Sequence, residues 1–348
     1  MSSIVDILEE LFLLKAGGKT IMPPKIFFHL PGDRFYSAMA SCCPPLGYAA
    51  SKWQSGDPSN PSRGLPYIQG LLVVSENDTG QIVAIMDAKW ITGKRTAAAS
   101  VLVARYQACR DSEVLALLGC GVQGRAHLEA MSEEVKTLKF CHVYDIVQKR
   151  QEAFIDELNG RFNNIQVIGT DNAKNAVRDA DIIVTGGPIQ IDRKPTIISD
   201  WIKPGALIIT IDYDSYVTDE CIDAMDIVLT DDYDQLNDAR IKDGKFLRLN
   251  KIDADNAQMI ANGTAIRQNE KQRILALNLV IALEELATAS EVLRVANEQE
   301  IAALDSYLNN HIWGYVQDTT NYGLIVYPGP GGQSSGDLFW RSYNYPHM

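Results

Sequence analysis

Residues 117–127, LLGCGVQGRAH, place Gly119, Gly121 and Gly124 in G-x-G-x-x-G spacing. Residues in this pattern act through their backbone. Gly119 permits a tight turn, Gly121 lets the main chain approach a pyrophosphate, and Gly124 allows close packing of a helix on a strand. Val122 and Gln123 fall at the start of that helix, where N–H groups without intrahelical partners face the phosphate charge. An apolar strand must precede the turn, and EVLALLGCG supplies it. The next strand ends in Asp145, 26 positions after Gly119. A carboxylate there accepts both hydroxyls of an adenosine ribose and repels a 2′-phosphate, so NAD(H) is favoured over NADP(H).

The elements around this turn alternate. EVLALLGCG, KFCHVYDI, IQVIG, DIIVTGG, GALIITIDYD and DIVLTDD are short β-type runs, with helical patterns such as VQGRAHLEAMSEEV and VQKRQEAFIDELNGRF between them. Six apolar, β-branched runs separated by helices predict an α/β, Rossmann-type doubly wound parallel sheet. Upstream, YIQGLLVVSEN and DTGQIVAIMDAKW flank a turn at Asn77–Gly80 and read as antiparallel strands. The Ala-rich TGKRTAAASVLVARYQAC reads as a helix running up to the sheet. Residues 270–308 read as strongly helical, and the Gly-, Pro- and aromatic-rich end as an irregular tail. The expected organisation is a first part of a substrate and dimerisation domain at 1–112 and a nucleotide domain at 113–270. Residues 271–348 return as C-terminal helices to an α+β second domain made from both chain ends.

Composition narrows the function. The 348 residues are 46% hydrophobic and 22% charged with a net charge of −12, so a nucleic acid or an anionic membrane is a poor partner. No apolar run approaches a membrane span. The first residues, MSSIVDILEELFLLKAGGK, carry Asp6, Glu9 and Glu10 among apolar positions. That reads as an amphipathic helix capped by Ser3 with Asp6 and ended by Gly17-Gly18, not as a signal peptide. Six scattered cysteines without a C-x-x-C pair point to reduced thiols in the cytoplasm. Five dispersed histidines at no ligand spacing predict no metal.

Three stretches, SKWQSGDPSNPSRGLP (51–66), ITGKRTAAAS (91–100) and GCGVQGRAH, occur in an order and spacing that resemble the ornithine cyclodeaminase/mu-crystallin family. WIKPGALIITIDYDSYVTDE (201–220) resembles the same family, over about residues 20–290 in all. The resemblance implies a homodimer of two-domain subunits. It places Lys52 at the active-site lysine and Arg95 at the arginine that pairs with the substrate carboxylate; by itself Lys52 reads as a surface lysine. If the helix begins near Arg95, the guanidinium fork adds to free N–H groups there, and the Thr96 hydroxyl suits a cofactor phosphate. Lys25 stands where many members carry a carboxylate-binding arginine; it keeps the charge without the fork. Asp214 matches the acid/base aspartate of the cyclodeaminases, where partial burial raises a carboxyl pKa.

The chain also departs from the pattern. Ser37 replaces the acidic residue that holds a distal ammonium in cyclodeaminases, Asp212 and Tyr213 replace two glycines, and ALNLV (276–280) replaces F-x-S-x-G. The implied activity is that of an NAD(H)-dependent oxidoreductase on the C–N bond of a small α-amino or α-imino acid, with a hydride exchanged between nicotinamide and substrate Cα. A cyclodeaminase-type lyase that uses NAD catalytically, and a mu-crystallin-like binding protein with little turnover, remain the alternatives.

Overall fold

The computed structural model describes residues 1–162, 164–190, 192–263, 266–298 and 325–326. In chain order they form α1 (Ser2–Ala16), β1 (Ile26–Leu30), β2 (Arg34–Cys43), β3 (Tyr48–Gly56), β4 (Ile68–Glu76), β5 (Ile82–Asp87) and α2 (Ala88–Gln107). There follow β6 (Val114–Leu118), α3 (Val122–Glu134), β7 (Phe140–Tyr144), α4 (Gln148–Leu158), β8 (Gln166–Gly169), α5 (Ala173–Val177) and β9 (Ile182–Thr185). The remainder comprises β10 (Leu207–Thr210), α6 (Asp219–Asp223), β11 (Ile227–Thr230), α7 (Tyr233–Asp243), β12 (Ala254–Asp255), α8 (Asn256–Ala261), β13 (Ile274–Leu277), α9 (Ala282–Glu298) and β14 (Ile325–Val326).

Two compact units divide the chain: Met1–Gly18 with Gly93–Glu284, and Lys19–Thr92 with the described residues from Glu285 onward. In the first unit a parallel sheet runs β12-β11-β13-β10-β9-β6-β7-β8. Strand order reverses between β6 and β9, which makes the carboxyl ends of these two strands the topological switch point. Its central strands β9, β10, β11 and β13 are buried along their whole length. Ile183, Ile208, Val228 and Leu275 pack in one cluster with Ala176, Val177 and Leu236 from the flanking helices. The second unit holds an antiparallel sheet ordered β1-β2-β3-β4-β5-β14. Its strands alternate buried and exposed positions, as in β2 and β3, because a sheet covered on one face buries every second residue.

Three expectations shift. The boundaries 1–112, 113–270 and 271–348 move, because α1 belongs to the parallel-sheet unit, which starts at Gly93 and extends to Glu284. Leu8, Leu11 and Phe12 of α1 are fully buried, and Lys15 reaches Asp232 and Asp255 at 3.2 and 3.3 Å. Residues 274–277, expected to be helical, are strand β13, inserted between β10 and β11. A short apolar run buried on both faces has no period that separates strand from helix. Finally, α1 starts at Ser2 with no side-chain cap; Ser2, not Ser3, bonds Asp6, at 3.4 Å. The tail lies outside the described residues, apart from the two of β14, which pair with Ala84 and Ile85 of β5.

Candidate active site

The glycine turn closes at the switch point. Gly119 has φ +116°, and a Cβ placed on it meets the Gly186 carbonyl oxygen at 2.7 Å. A Cβ on Gly124 meets the Gly119 carbonyl oxygen at 2.3 Å, whereas one on Gly121 meets nothing within 4 Å. The first and third glycines are therefore required by packing, and the second leaves open space beside the main chain. Helix α3 starts at Val122, with Gly121 as an N-cap that carries no side chain to bond its first N–H groups. Such a terminus accommodates an anion. A dinucleotide pyrophosphate fits this combination of bare N-cap and open Gly121.

Asp145 follows β7 and does more than the sequence indicates. Its Oδ2 accepts the Cys120 N–H at 2.9 Å and its Oδ1 the Val147 N–H at 2.8 Å. The carboxylate thus braces the glycine turn, and of its roughly four lone-pair sites two remain for a diol.

Arg95 and Thr96 are buried in α2. The helix starts at Ala88, where the Asp87 Oδ1 accepts the Lys89 N–H at 2.7 Å. Arg95 therefore lies about two turns inside the helix, and the expected addition of free N–H groups to its guanidinium is not made. Its charge is met by Glu284, with Nη1 to Oε2 at 3.4 Å. Nearby in the same unit, His127 bonds the Gln123 carbonyl oxygen at 2.8 Å and the Ser100 hydroxyl at 2.9 Å. Asn278, just past β13, donates to the same hydroxyl at 3.3 Å. Burial pulls the His127 pKa down to about 4, so the ring is neutral.

Two aspartates follow β10. Asp214 is buried and held in place: its Oδ2 accepts the Phe246 N–H at 2.8 Å and pairs with Arg193 Nε at 3.3 Å. Asp212 is also buried, and burial raises its pKa to about 7. It accepts the Thr185 hydroxyl at 2.7 Å and the Gly187 N–H at 3.0 Å, tying β10 to the turn that rests on Gly119. Tyr213, between them, has φ +60°, and Val280 has φ +70°. Both occupy places where the resemblance leads one to expect glycine, and both carry a left-handed backbone with a side chain attached.

In the antiparallel-sheet unit, Lys52 is fully buried on the inner face of β3, between Ala50 and Gln54. The surface-lysine reading does not hold. Its Nζ pairs with Glu285 at the start of α9 and donates to the Thr92 hydroxyl at 3.2 Å. Lys25 is also buried, with its Nζ 5.3 Å from the centroid of the Phe27 ring. Ser37 lies on the same face of β2 and is completely buried. The sequence reading missed Glu284 and Glu285. Their signal was an acidic pair inside the otherwise apolar run LVIALEELATA, because buried carboxylates require paired cations.

Sheet order and glycine turn define a Rossmann-type, doubly wound α/β protein. The chain belongs to the ornithine cyclodeaminase/mu-crystallin family, whose sequence profile matches residues 1–298. It is 32% identical to an alanine dehydrogenase of Archaeoglobus fulgidus over 59% of this chain and 60% of that protein. It is 28% identical to N-((2S)-2-amino-2-carboxyethyl)-L-glutamate dehydrogenase of Staphylococcus aureus over 72% of this chain and 75% of that one. Among solved structures, an archaeal alanine dehydrogenase dimer with bound NAD superposes with a TM-score of 0.75 at 26% identity, covering 87% of this chain and 93% of that one.

Proposed function

We propose that this protein is an NAD(H)-dependent oxidoreductase acting on the C–N bond of a small α-amino or α-imino acid. The observation that carries the reading is the pair of fully buried cations, Lys52 and Arg95, each matched to its own glutamate. Buried charge of this kind is costly, and the family resemblance gives each of these cations a role with a carboxylate-bearing substrate. The roles assigned are substrate carboxylate binding by Arg95 and Lys25, and proton exchange at the reacting nitrogen by Lys52. Gly119, Gly121, Val122, Gln123, Gly124 and Thr96 hold the cofactor phosphates, and Asp145 the adenosine ribose, which favours NAD(H) over NADP(H). The bound nicotinamide supplies the two-electron chemistry, and the chain supplies orientation and charge.

Asp214 is the acid/base candidate of the family resemblance, but its Arg193 and Phe246 partners favour a supporting role, which leaves the proton step to Lys52. Ser37 in the place of an acidic residue disfavours the cyclodeaminase alternative, since a buried ammonium needs a charged partner. The relatives named as dehydrogenases agree with net oxidation or reduction.

A homodimer is part of this proposal. Ile26, Phe28, Tyr36, Trp53 and Leu71 are exposed on one face of the antiparallel sheet, with Tyr36 stacked on Trp53 at 5.6 Å. A contiguous apolar face of this sort marks an interaction surface, here for a second copy. Among the described residues no helix is long and apolar enough to cross a membrane, and we place the protein in the cytoplasm, where its thiols stay reduced.

The deciding experiment screens 2-oxo acids with ammonia or methylamine, and cyclic imino acids, following NADH absorbance. Net NADH consumption is expected. Ammonia release from a diamino acid without net NADH change would replace this reading with the lyase.

A further inference from the structure

On the inner face of the antiparallel sheet, Ser37 of β2 pairs directly with Gln54 of β3, and Met39 pairs with Lys52. Side chains at directly paired positions share a face, with Cβ atoms about 4.5–5.5 Å apart. Ser37 is 0% exposed and Gln54 9%. The Ser37 Oγ and the Gln54 Oε1 are both buried without a hydrogen-bond partner among the described residues. Opposite Gln54 on β4 stands Gly70, which places no side chain beside it. A hydroxyl and an amide oxygen left unsatisfied side by side are costly to bury. Apolar residues would close that face at lower cost, and buried Met39 and Leu72, on either side of Lys52, show that the sheet uses them.

We infer that Ser37 and Gln54 form a side-chain subsite, two residues along the same face of the sheet from Lys52, for a substrate whose side chain ends in a neutral hydrogen-bond donor, a hydroxyl or a carboxamide. The inference rests on the function proposed above and names its substrate class. Ser37 both donates and accepts, and the Gln54 oxygen only accepts. A ligand hydroxyl or amide N–H satisfies the Gln54 oxygen, and the Ser37 hydroxyl completes the set. An aliphatic side chain leaves both atoms unpaired, and a site built to bond a hydroxyl rejects the analogue that lacks it far more strongly than an apolar pocket rejects an extra one. An ammonium finds two acceptors but no negative charge, which burial does not tolerate. A carboxylate finds donors in the Ser37 hydroxyl and the Gln54 amide N–H groups but no cation in the pair.

The test compares isosteric amino acids, L-homoserine with L-norvaline and L-asparagine with L-leucine, with L-ornithine and L-aspartate alongside. Oxidation is followed as NADH formation in the wild type, Ser37→Ala and Gln54→Leu. A preference of about tenfold or more in kcat/KM for the polar member of at least one pair is expected, falling towards unity in both variants. Thermal unfolding without substrate gives a second readout. If the two polar atoms are kept for a ligand, Ser37→Ala leaves Tm unchanged or raises it, because an unsatisfied group is removed. Equal use of both members of each pair would overturn the subsite while leaving the proposed function standing, as would a clear fall in Tm, which would show a structural water bonded to the pair. Failure of every amino, 2-oxo and cyclic imino acid to react would overturn the proposed function and this inference with it.

Discussion

Glu285→Gln removes the charge that faces Lys52 and changes almost nothing else in shape. The two side chains are 0% and 1% exposed, so water does not take over the lost partner. Removing one member of a buried pair typically costs about 3–5 kcal/mol. Glutamine keeps a carbonyl acceptor, and the Thr92 hydroxyl still accepts from Nζ at 3.2 Å, which sets the expectation at the low end, about 3 kcal/mol. At about 2–4 °C per kcal/mol for domains of 150–250 residues, that is a fall in Tm of about 6–12 °C. Urea titration is the primary assay, because a midpoint shift at constant m isolates stability. The pair is best separated from its surroundings by a double-mutant cycle. Lys52→Met alone leaves a buried carboxylate and is expected to cost about as much, whereas Lys52→Met with Glu285→Leu is expected to recover most of the loss. A loss below about 0.5 kcal/mol for Glu285→Gln, the range of an ordinary surface substitution, would refute the reasoning, and so would strict additivity in the cycle.

Arg95→Lys is expected to keep fold and cofactor affinity but lower kcat/KM with the best substrate by about 2 kcal/mol, since a lysine cannot make two parallel bonds to a carboxylate; unchanged kinetics would show that Arg95 does not touch it. Asp145→Ala is expected to narrow a several-fold preference for NADH over NADPH in fluorescence titration, and a wild type that prefers NADPH would refute the ribose assignment. Asp212, raised from 3.8 to about 7 by burial, binds its proton more tightly folded than unfolded, so the stability it contributes is complete below about pH 4 and lost as pH rises to about 7. Asp212→Asn is therefore expected to gain on the wild type in urea midpoint between pH 4 and pH 8, and a constant difference would contradict this. Val280, with φ +70°, carries about 1–3 kcal/mol of strain against the 0.5–1 kcal/mol or so that glycine costs in entropy. Val280→Gly is thus expected to raise the unfolding free energy from urea titration by about 1 kcal/mol, and a lower value would show the strain to be absent.

The sequence alone determined what is encoded within a few neighbouring residues. The glycine turn was legible because its demands, a positive φ at Gly119, open space at Gly121 and helix contact at Gly124, lie within six positions between a strand and a helix. The six parallel strands and the β4–β5 hairpin were legible through β-branched runs and turn residues. Tertiary structure alone decided features whose cause lies far along the chain. Strand β13 is a strand because β10 and β11 flank it on both sides, a pairing that four apolar residues do not announce. Lys52 is buried rather than exposed because it meets a glutamate 233 positions away. Arg95 left the helix terminus because Asp87 holds the Lys89 N–H and starts α2 there. Asp214 is held by Arg193 and the Phe246 backbone, and Asp212 by the Thr185 hydroxyl and the Gly187 N–H, although both stand in the same four-residue stretch. Backbone preference is local and readable in the chain; burial and charge pairing belong to the assembled fold, since desolvation is set by whatever the fold packs around a group.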